Sequence, residues 1–146
     1  MYKPTPLVAV IMSVYKNDKP DLLKKAFGSI AEQNYPADKI RIYLGIDGEI
    51  SQELEVIITS CNLVYKIQRN EKNIGLSATL NKLVNMLENE EFVFRMDADD
   101  VSLPNRFEAQ VKYMLENPNV DILGTSLTEV NEKGEEVCTR TYPTQK

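Results

Sequence analysis

Apolar runs alternate with amphipathic stretches along this chain, and the alternation predicts its secondary structure. Four short runs rich in apolar and β-branched residues are typical of strands, and the first indicates a strand buried on both faces of a sheet. These runs are residues 7–12, 40–46, 63–67 and 92–96. Elsewhere, apolar residues recur with the period of an α-helix. The predicted helices run from residue 20 to about residue 34, then over residues 52–60, 76–87 and 104–116.

Strands that alternate with helices of about a dozen residues form βαβ units, so we expect an α/β fold with a mostly parallel sheet. Residues 120–124 predict a fifth strand. Residues 127–130 and 136–142 predict a hairpin with its turn near Lys133 and Gly134, which would make the sheet partly mixed. The length of 146 residues fits one domain over residues 1–146.

Composition excludes several classes of function. The chain has a net charge of −5 and a pI near 4.9, which argues against a binder of nucleic acids or anionic membranes. It contains no His, so His-based catalytic triads and zinc sites are excluded. Cys61 and Cys138 are far apart and are expected to be reduced thiols. No transmembrane segment or leader pattern is present, so we expect a cytoplasmic protein.

The most distinctive stretch is the acidic loop, residues 97–100, in which three carboxylates follow the fourth predicted strand. Carboxylates this close repel one another, so the loop must be well hydrated or neutralised by a cation. Oxygen ligands at the carboxyl end of a strand suit a substrate-bound Mg²⁺ or Mn²⁺. A solvated turn is the alternative. An EF-hand is disfavoured, because Ser102 replaces the turn glycine and Val101 replaces an oxygen ligand.

Polar residues follow three of the predicted strands, at residues 13–18, 47–48 and 97–100. Right-handed crossovers bring such loops to one edge of a sheet, so we expect them to share a site. The first loop lacks a Gly-x-Gly-x-x-Gly sequence, and no Gly-x-x-x-x-Gly-Lys sequence occurs in the chain. The site is therefore expected to hold a nucleoside diphosphate through a metal instead of a glycine-rich loop.

Five short motifs occur in an order that resembles the family 2 glycosyltransferases, which have the GT-A fold and an Asp-x-Asp motif. The motifs are residues 8–15, 46–48, 73–77 with Asn81, 96–100, and 104–106 with Gln110. The resemblance covers about residues 7–125. It implies a three-layer αβα, Rossmann-like domain that binds a nucleotide-sugar.

The resemblance assigns the nucleoside side of the site to residues after the first two strands. Ser13, Val14 and Tyr15 match the segment that lines the nucleoside. Tyr15 either stacks on the base or is a buried core residue. Asp47 matches an aspartate that accepts a hydrogen bond from the nucleobase.

The acidic loop supplies the metal side of the implied site. Asp97 matches a residue that faces the ribose or a metal-bound water, and Asp99 matches one that holds the cation bridging the diphosphate. The implied cofactor is a divalent cation, Mn²⁺ or Mg²⁺, with Asp97 and Asp99 as ligands. Arg95 either balances the charge of the loop or reaches the diphosphate. Asn73 and Gly75 either contact the donor or form the turn before the third helix.

The implied function is transfer of a sugar from a nucleotide-diphospho-sugar, preferably a UDP-sugar, to a hydroxyl of a glycan or lipid-linked acceptor. The resemblance points to an inverting enzyme of polysaccharide or glycolipid synthesis. The family's catalytic carboxylate lies well downstream of Asp-x-Asp, so we expect the base beyond Lys146, in a part that could also bind the inner face of the membrane. This chain is then the donor-binding part of a longer enzyme. The late acids Glu129, Glu132, Glu135 and Glu136 are expected to be solvated hairpin charges.

Two other functions stay open at this point. A nucleotidyltransferase has a related core, but it needs a glycine-rich loop with Arg and Lys after the first strand, and residues 13–18 contain no Gly. A non-catalytic module that binds a sugar nucleotide or a metal for a partner is the other. The sequence does not reject such a module, because it would lack a catalytic base in the same way.

Overall fold

The computed structural model describes residues 5–143, and the apolar runs at residues 7–12, 40–46, 63–67 and 92–96 form strands in it. The chain divides into two units with the boundary between Val111 and Lys112. The first unit contains a sheet of four parallel strands. In chain order these are β1 (Val8–Val14), β2 (Ile40–Asp47), β3 (Val64–Asn70) and β4 (Phe92–Arg95).

The strands lie side by side in the order β3-β2-β1-β4, so the winding of the chain reverses between β1 and β4. The chain adds β2 and then β3 on one side of β1, and it then returns to add β4 on the other side of β1. Val10 of β1 pairs with Ile42 on one side and with Phe94 on the other. In open α/β sheets a crevice opens at such a reversal, beyond the carboxyl ends of the strands.

Helices connect the strands and begin where the sequence supplies helix-start signals. Pro20 occupies the first turn of its helix, where its missing N–H costs nothing. Ser51 caps the next helix by accepting a hydrogen bond from the Leu54 amide at 3.3 Å. Within the described residues no helix is long and apolar enough to cross a membrane. The helices are α1 (Pro20–Ala31), α2 (Gln52–Ser60), α3 (Leu76–Val84) and α4 (Arg106–Glu116).

Two apolar clusters cover the two faces of the sheet, because alternate side chains of a strand point to opposite faces. Val10 and Met12 belong to the cluster that includes buried residues of α1 and α2. Ile11 belongs to the cluster that includes Leu83 of α3. Burying an aliphatic side chain completely contributes about 1.5–3 kcal/mol, so a continuous apolar run in β1 is favoured only with both faces covered. The predicted three-layer α/β arrangement is therefore present.

Several boundaries differ from the prediction by a few residues, and that of β3 matters for the site. The strand β3 continues to Asn70 instead of ending at residue 67, although its last residues are polar. This extension pairs Asn70 with Asp47 at the ends of β3 and β2. The helix α3 ends at Val84, three residues earlier than its apolar repeat suggested.

The second unit contains a hairpin of β5 (Leu127–Val130) and β6 (Glu136–Arg140), which pair antiparallel in a sheet of their own. The predicted hairpin is thus present, but the prediction that it would make the main sheet mixed is wrong for the described residues. The predicted strand at residues 120–124 is also wrong, because no strand forms there. This run has only three apolar residues, and Ile122 is 91% exposed, so it lacks the packing that stabilises a strand.

Candidate functional site

A cavity of about 410 Å³ opens at the carboxyl edge of the sheet in the first unit, next to the reversal between β1 and β4. All three predicted loops contribute to it, as expected for loops at the carboxyl ends of parallel strands. Seven of the residues singled out in the sequence line it: Ser13, Tyr15, Asp47, Asn73, Gly75, Asp97 and Asp99. Asp18, Leu76 and Ala98 also line it; they belong to the predicted loops and motifs but were not named as site residues.

The loop after β1 folds back on itself at the cavity. The Tyr15 amide donates to Asp18 Oδ2 at 2.8 Å, and the Asp18 amide donates to the Tyr15 carbonyl oxygen at 3.1 Å. Tyr15 is 39% exposed, so it is not a core residue. Val14 is fully buried in the core, and unlike Ser13 it does not line the cavity. Ser13, Tyr15 and Asp18 are therefore the residues of this loop that line the cavity.

Asp47 is buried at the end of β2, and its carboxylate joins β2 to the loop before α3. Asp47 Oδ1 accepts hydrogen bonds from the Ile74 amide at 2.8 Å and from Asn70 Nδ2 at 3.0 Å. Asp47 Oδ2 accepts one from the Gly75 amide at 2.9 Å. Burial alone would raise the pKa of Asp47, but these hydrogen bonds outweigh it and lower the pKa below its ordinary value. The carboxylate is therefore ionised, and it holds this wall together while still lining the cavity.

Asn70 supports Asp47 and was missed by sequence reasoning. Besides its bond to Asp47, Asn70 Nδ2 donates to Thr79 Oγ1 at 2.9 Å, and Asn70 Oδ1 accepts from Lys82 Nζ at 2.7 Å. The ammonium donor fixes which end of the amide faces Asp47. The polar end of β3, including Asn70, looked like a loop in the sequence, which is why this residue was overlooked.

Two glycines adopt positive φ angles in this wall, and Gly48 permits its tight approach to β2. Gly48 has φ +88°, and a Cβ placed there would lie 2.9 Å from the Asn73 amide nitrogen. Gly75 has φ +91° and immediately precedes α3, with its amide on Asp47. Both conformations strongly favour glycine. Asn73 itself donates from Nδ2 to the Asp47 carbonyl oxygen at 3.4 Å, so it serves the turn as well as lining the cavity.

The opposite wall is formed by the acidic loop after β4. Asp97 Oδ1 accepts from Arg95 at 2.5 Å, and the Asp100 amide donates to the Asp97 carbonyl oxygen at 3.2 Å. Arg95 does not line the cavity, so in this structure it balances the charge of the loop. Within residues 5–143 the Asp99 carboxylate makes no hydrogen bond or ion pair. Asp99 is therefore available to a ligand.

Carboxylates dominate the electrostatics of the cavity. Partial burial, and then repulsion from Asp99 and Asp97, raise the pKa of Asp18 against the opposing hydrogen bond from Tyr15. Partial burial and repulsion from the same two aspartates raise the pKa of Asp100. No Lys or Arg is among the described residues that line the cavity. An anionic ligand such as a diphosphate would therefore need a cation to accompany it.

The oxygen ligands present fit a divalent cation that is completed by substrate. Among the described residues, no group of three or more acidic, Cys or His side chains is arranged to hold a metal ion by itself. Asp97 and Asp99 offer hard oxygen ligands from one loop beside an open cavity. Mg²⁺ and Mn²⁺ suit such ligands, and Mg²⁺ in particular is often held by only one or two carboxylates plus substrate phosphates and water.

Comparison with known proteins places the chain in a family. The family model described as "Glycosyl transferase family 2" matches residues 9–141, which is most of the chain. The chain belongs to glycosyl transferase family 2. The resemblance expected from the five motifs is confirmed.

Curated relatives within the family are named as glycosyltransferases. The amylovoran biosynthesis glycosyltransferase AmsE of Erwinia amylovora is 36% identical over 132 residues, covering 89% of this chain and 48% of the relative. The UDP-Gal:alpha-D-GlcNAc-diphosphoundecaprenol beta-1,3-galactosyltransferase of Escherichia coli is 35% identical, covering 86% of this chain and 45% of the relative. The chain thus spans about half the length of these curated relatives.

Two solved structures confirm the GT-A fold. The mannosyltransferase PcManGT of Pyrobaculum calidifontis, solved with GDP-Man and Mn²⁺, aligns with a TM-score of 0.66 at 21% identity, covering 88% of this chain and 36% of its own. TarS 1-349 of S. aureus, solved with UDP-GlcNAc, aligns with a TM-score of 0.66 at 20% identity, covering 76% of this chain and 32% of its own. At these identities the likeness concerns the fold.

Proposed function

We propose that this chain forms the donor site of a glycosyltransferase that moves a sugar from a nucleotide-diphospho-sugar to a hydroxyl acceptor. The observation that carries the proposal is the pairing of two different walls around one cavity. One wall holds a hydrogen-bonded, ionised Asp47, and the other holds the unengaged Asp99. A nucleotide-sugar has a matching division between its base and its diphosphate.

The nucleoside is proposed to bind between the loop after β1 and the Asp47 wall. The volume of about 410 Å³ is within the range of small-molecule sites. The exposed ring of Tyr15 offers a stacking surface for the base, and Ser13 and Asn73 offer polar contacts. An ionised Asp47 suits the N–H donor of a uracil or guanine ring. Gly75 lets the backbone approach the ligand closely.

The diphosphate is proposed to lie over the acidic loop, with a divalent cation held by Asp97 and Asp99. When bound, such a cation stabilises the negative charge that builds on the departing nucleoside diphosphate. Arg95 pairs with Asp97 and so limits the repulsion among the carboxylates before the ligand arrives. Asp18 adds a further negative group on the same cavity and is the additional residue that the structure brings to this proposal.

We favour a UDP-sugar as donor and an acceptor that belongs to a polysaccharide or a glycolipid. The support is the name of the Escherichia coli relative, which includes UDP-Gal and a diphosphoundecaprenol acceptor, and the name of AmsE, which refers to amylovoran biosynthesis. An inverting reaction needs a carboxylate base opposite the departing diphosphate. The proposal assigns that role to no residue of this chain.

The test is a calorimetric titration of UDP, and then of GDP, with Mn²⁺ present and again with EDTA. We expect UDP to bind in the presence of Mn²⁺ and to lose about tenfold or more in affinity without it. Asp99→Ala should remove the metal dependence, whereas Asp38→Ala, at an exposed aspartate outside the cavity, should bind like the wild type. Failure of both nucleotides to bind under any condition would contradict the donor-site proposal.

A further inference from the structure

We infer that Gln33 is a positioning residue for the acidic loop, an inference that rests on the proposed metal-assisted donor site. Gln33 lies two residues beyond the end of α1 and is only 7% exposed. It does not line the cavity. Any effect of Gln33 on the ligand must therefore act through the residues it holds.

The side-chain amide of Gln33 joins three parts of the first unit. Its Nε2 donates to the Leu103 carbonyl oxygen at 2.8 Å, with a longer contact of 3.4 Å to the Ser102 carbonyl oxygen. The same nitrogen donates to the Ser29 carbonyl oxygen at 3.0 Å. Its Oε1 accepts from the Phe107 amide at 3.0 Å. One amide thus connects the end of α1, residues 102–103 just beyond the acidic loop, and the first turn of α4.

Neighbouring groups at the end of α1 complete this connection. Ser29 Oγ accepts from the Ser102 amide at 3.0 Å while donating to the Ala26 carbonyl oxygen at 2.8 Å. The Asn34 amide donates to the Pro104 carbonyl oxygen at 2.7 Å. Ser29 and Ser102 are both buried, so the hydrogen bond between them is shielded from competing water. We call Ser29, Gln33 and Ser102 the loop clamp.

Arg106, the first residue of α4, contacts the same segment. Its guanidinium donates to Ser102 Oγ at 2.8 Å, to Gln110 Oε1 at 3.0 Å and to the Arg95 carbonyl oxygen at 3.3 Å. Arg106 therefore links Arg95, the last residue of β4, to Ser102, which lies two residues beyond the acidic loop. The clamp and Arg106 together leave residue 102 little freedom.

The consequence concerns the carboxylates between the two fixed ends. The Met96 amide donates to the Ile11 carbonyl oxygen at 3.2 Å, which fixes the upstream end of the loop to β1. The loop clamp fixes the downstream end, so residues 97–101 form a short bridge between two anchored points. Mutual repulsion would otherwise spread Asp97 and Asp99 apart. Anchoring both ends reduces the ordering cost when a cation binds between them.

The experiment compares UDP affinity with Mn²⁺ and with EDTA, which defines the metal coupling as the ratio of the two dissociation constants. Gln33→Met removes the amide and keeps a side chain of similar length. We expect its metal coupling to fall about tenfold, as for groups that orient metal ligands, while affinity in EDTA changes less than about twofold. Ser29→Ala should lower the coupling less. Tyr35→Phe is the matched control, since it removes the partly buried hydrogen bond to the Pro6 carbonyl oxygen at 2.6 Å elsewhere in the unit.

Amide hydrogen exchange supplies a readout that does not depend on nucleotide. Folded Gln33→Met should exchange the Phe107 amide faster than the wild type, and Ser29→Ala should do the same for the Ser102 amide. Faster exchange together with unchanged metal coupling would overturn the inference and leave the donor site intact. If Gln33→Met does not fold, Ser29→Ala replaces it: lowered metal coupling supports the inference, and unchanged metal coupling with faster exchange of the Ser102 amide overturns it. A wild type without metal coupling would overturn the donor site and this inference together.

Discussion

Asp47, the last residue of β2, and Asp99, in the loop after β4, are aspartates on the same cavity, yet their surroundings are opposite. Asp47 is 4% exposed and accepts hydrogen bonds from two backbone amides and an asparagine. Asp99 is exposed and, among the described residues, its carboxylate makes no hydrogen bond or ion pair. The same residue type therefore does structural work on one wall and is free for a ligand on the other.

The comparison shows that position at a strand end is not enough to assign a role to a carboxylate. What separates the two is whether the chain itself supplies hydrogen-bond donors. The loop before α3 turns its amides toward Asp47, whereas the acidic loop places carboxylates next to one another. A carboxylate that the protein leaves unsatisfied at a cavity is the better candidate for binding a cation.

The strongest test of this difference is the replacement of each aspartate by asparagine. Asp47→Asn places an amide nitrogen where one oxygen accepts a backbone N–H, so we expect a loss of about 2–4 kcal/mol in the free energy of unfolding. Asp99→Asn should change it by less than about 0.5 kcal/mol. Urea unfolding of both variants measures this. Equal effects of the two changes would contradict the division of roles.

The backbone of the Asp47 wall can be tested at Gly48. Gly48→Ala forces a Cβ to within 2.9 Å of the Asn73 amide nitrogen at a φ of +88°. We expect a loss of about 2 kcal/mol in the free energy of unfolding. Gly28→Ala is the control, because a Cβ there meets nothing within 4 Å and α1 would gain about 0.5–1 kcal/mol. A Gly48→Ala variant as stable as the wild type would show that the wall adjusts freely.

The two walls should also respond to pH with opposite signs. The lowered pKa of Asp47 adds stability above the ordinary carboxyl pKa of 3.8, and this is lost as pH falls through the folded-state value. The raised pKa of Asp100 means that its ionised carboxylate lowers the stability of the fold at neutral pH. This loss disappears as pH falls through the raised value to below 3.8. Because Asp100 is exposed, Asp100→Asn should stabilise the protein at neutral pH by only a few tenths, about 0.3 kcal/mol.

Urea unfolding from neutral pH down to about pH 3.5 measures both effects. The advantage of Asp100→Asn over the wild type should shrink toward the acid end of the series. The difference in the free energy of unfolding between the wild type and Asp47→Asn should also shrink there, because the wild type loses the stability that ionised Asp47 contributes. If Asp47→Asn instead became less stable relative to the wild type as pH falls, this would contradict a lowered pKa of Asp47.

Local patterns were sufficient to predict the four parallel strands, the four helices and the edge of the sheet that carries the site, although they also predicted a strand at residues 120–124 that does not form. The helix α2 was predicted with its observed bounds, because its apolar residues recur with the helical period. The convergence of the loops at residues 13–18, 47–48 and 97–100 followed from the handedness of βαβ units.

The supporting contacts could not be predicted, because they join residues far apart in the chain. Gln33 contacts residues 69 to 74 positions away, and no local periodicity encodes such a pairing. Asn70 was hidden because a strand end stabilised by side-chain hydrogen bonds is polar and looks like a loop. Asp18 carried a local signal, a charge at a strand's carboxyl end, but its approach to Asp99 depends on the order of the strands.

The most direct measurement of the central claim is the thermal unfolding of wild type and Asp99→Asn, each with and without Mn²⁺ and UDP. We expect equal midpoints for the two proteins without ligand. When ligand exceeds its dissociation constant about 100-fold, we expect the midpoint of the wild type to rise by about 5 °C or more and that of Asp99→Asn to stay unchanged. An equal rise in Asp99→Asn, or no rise in the wild type, would contradict a cation site built on the unengaged carboxylate of the acidic loop.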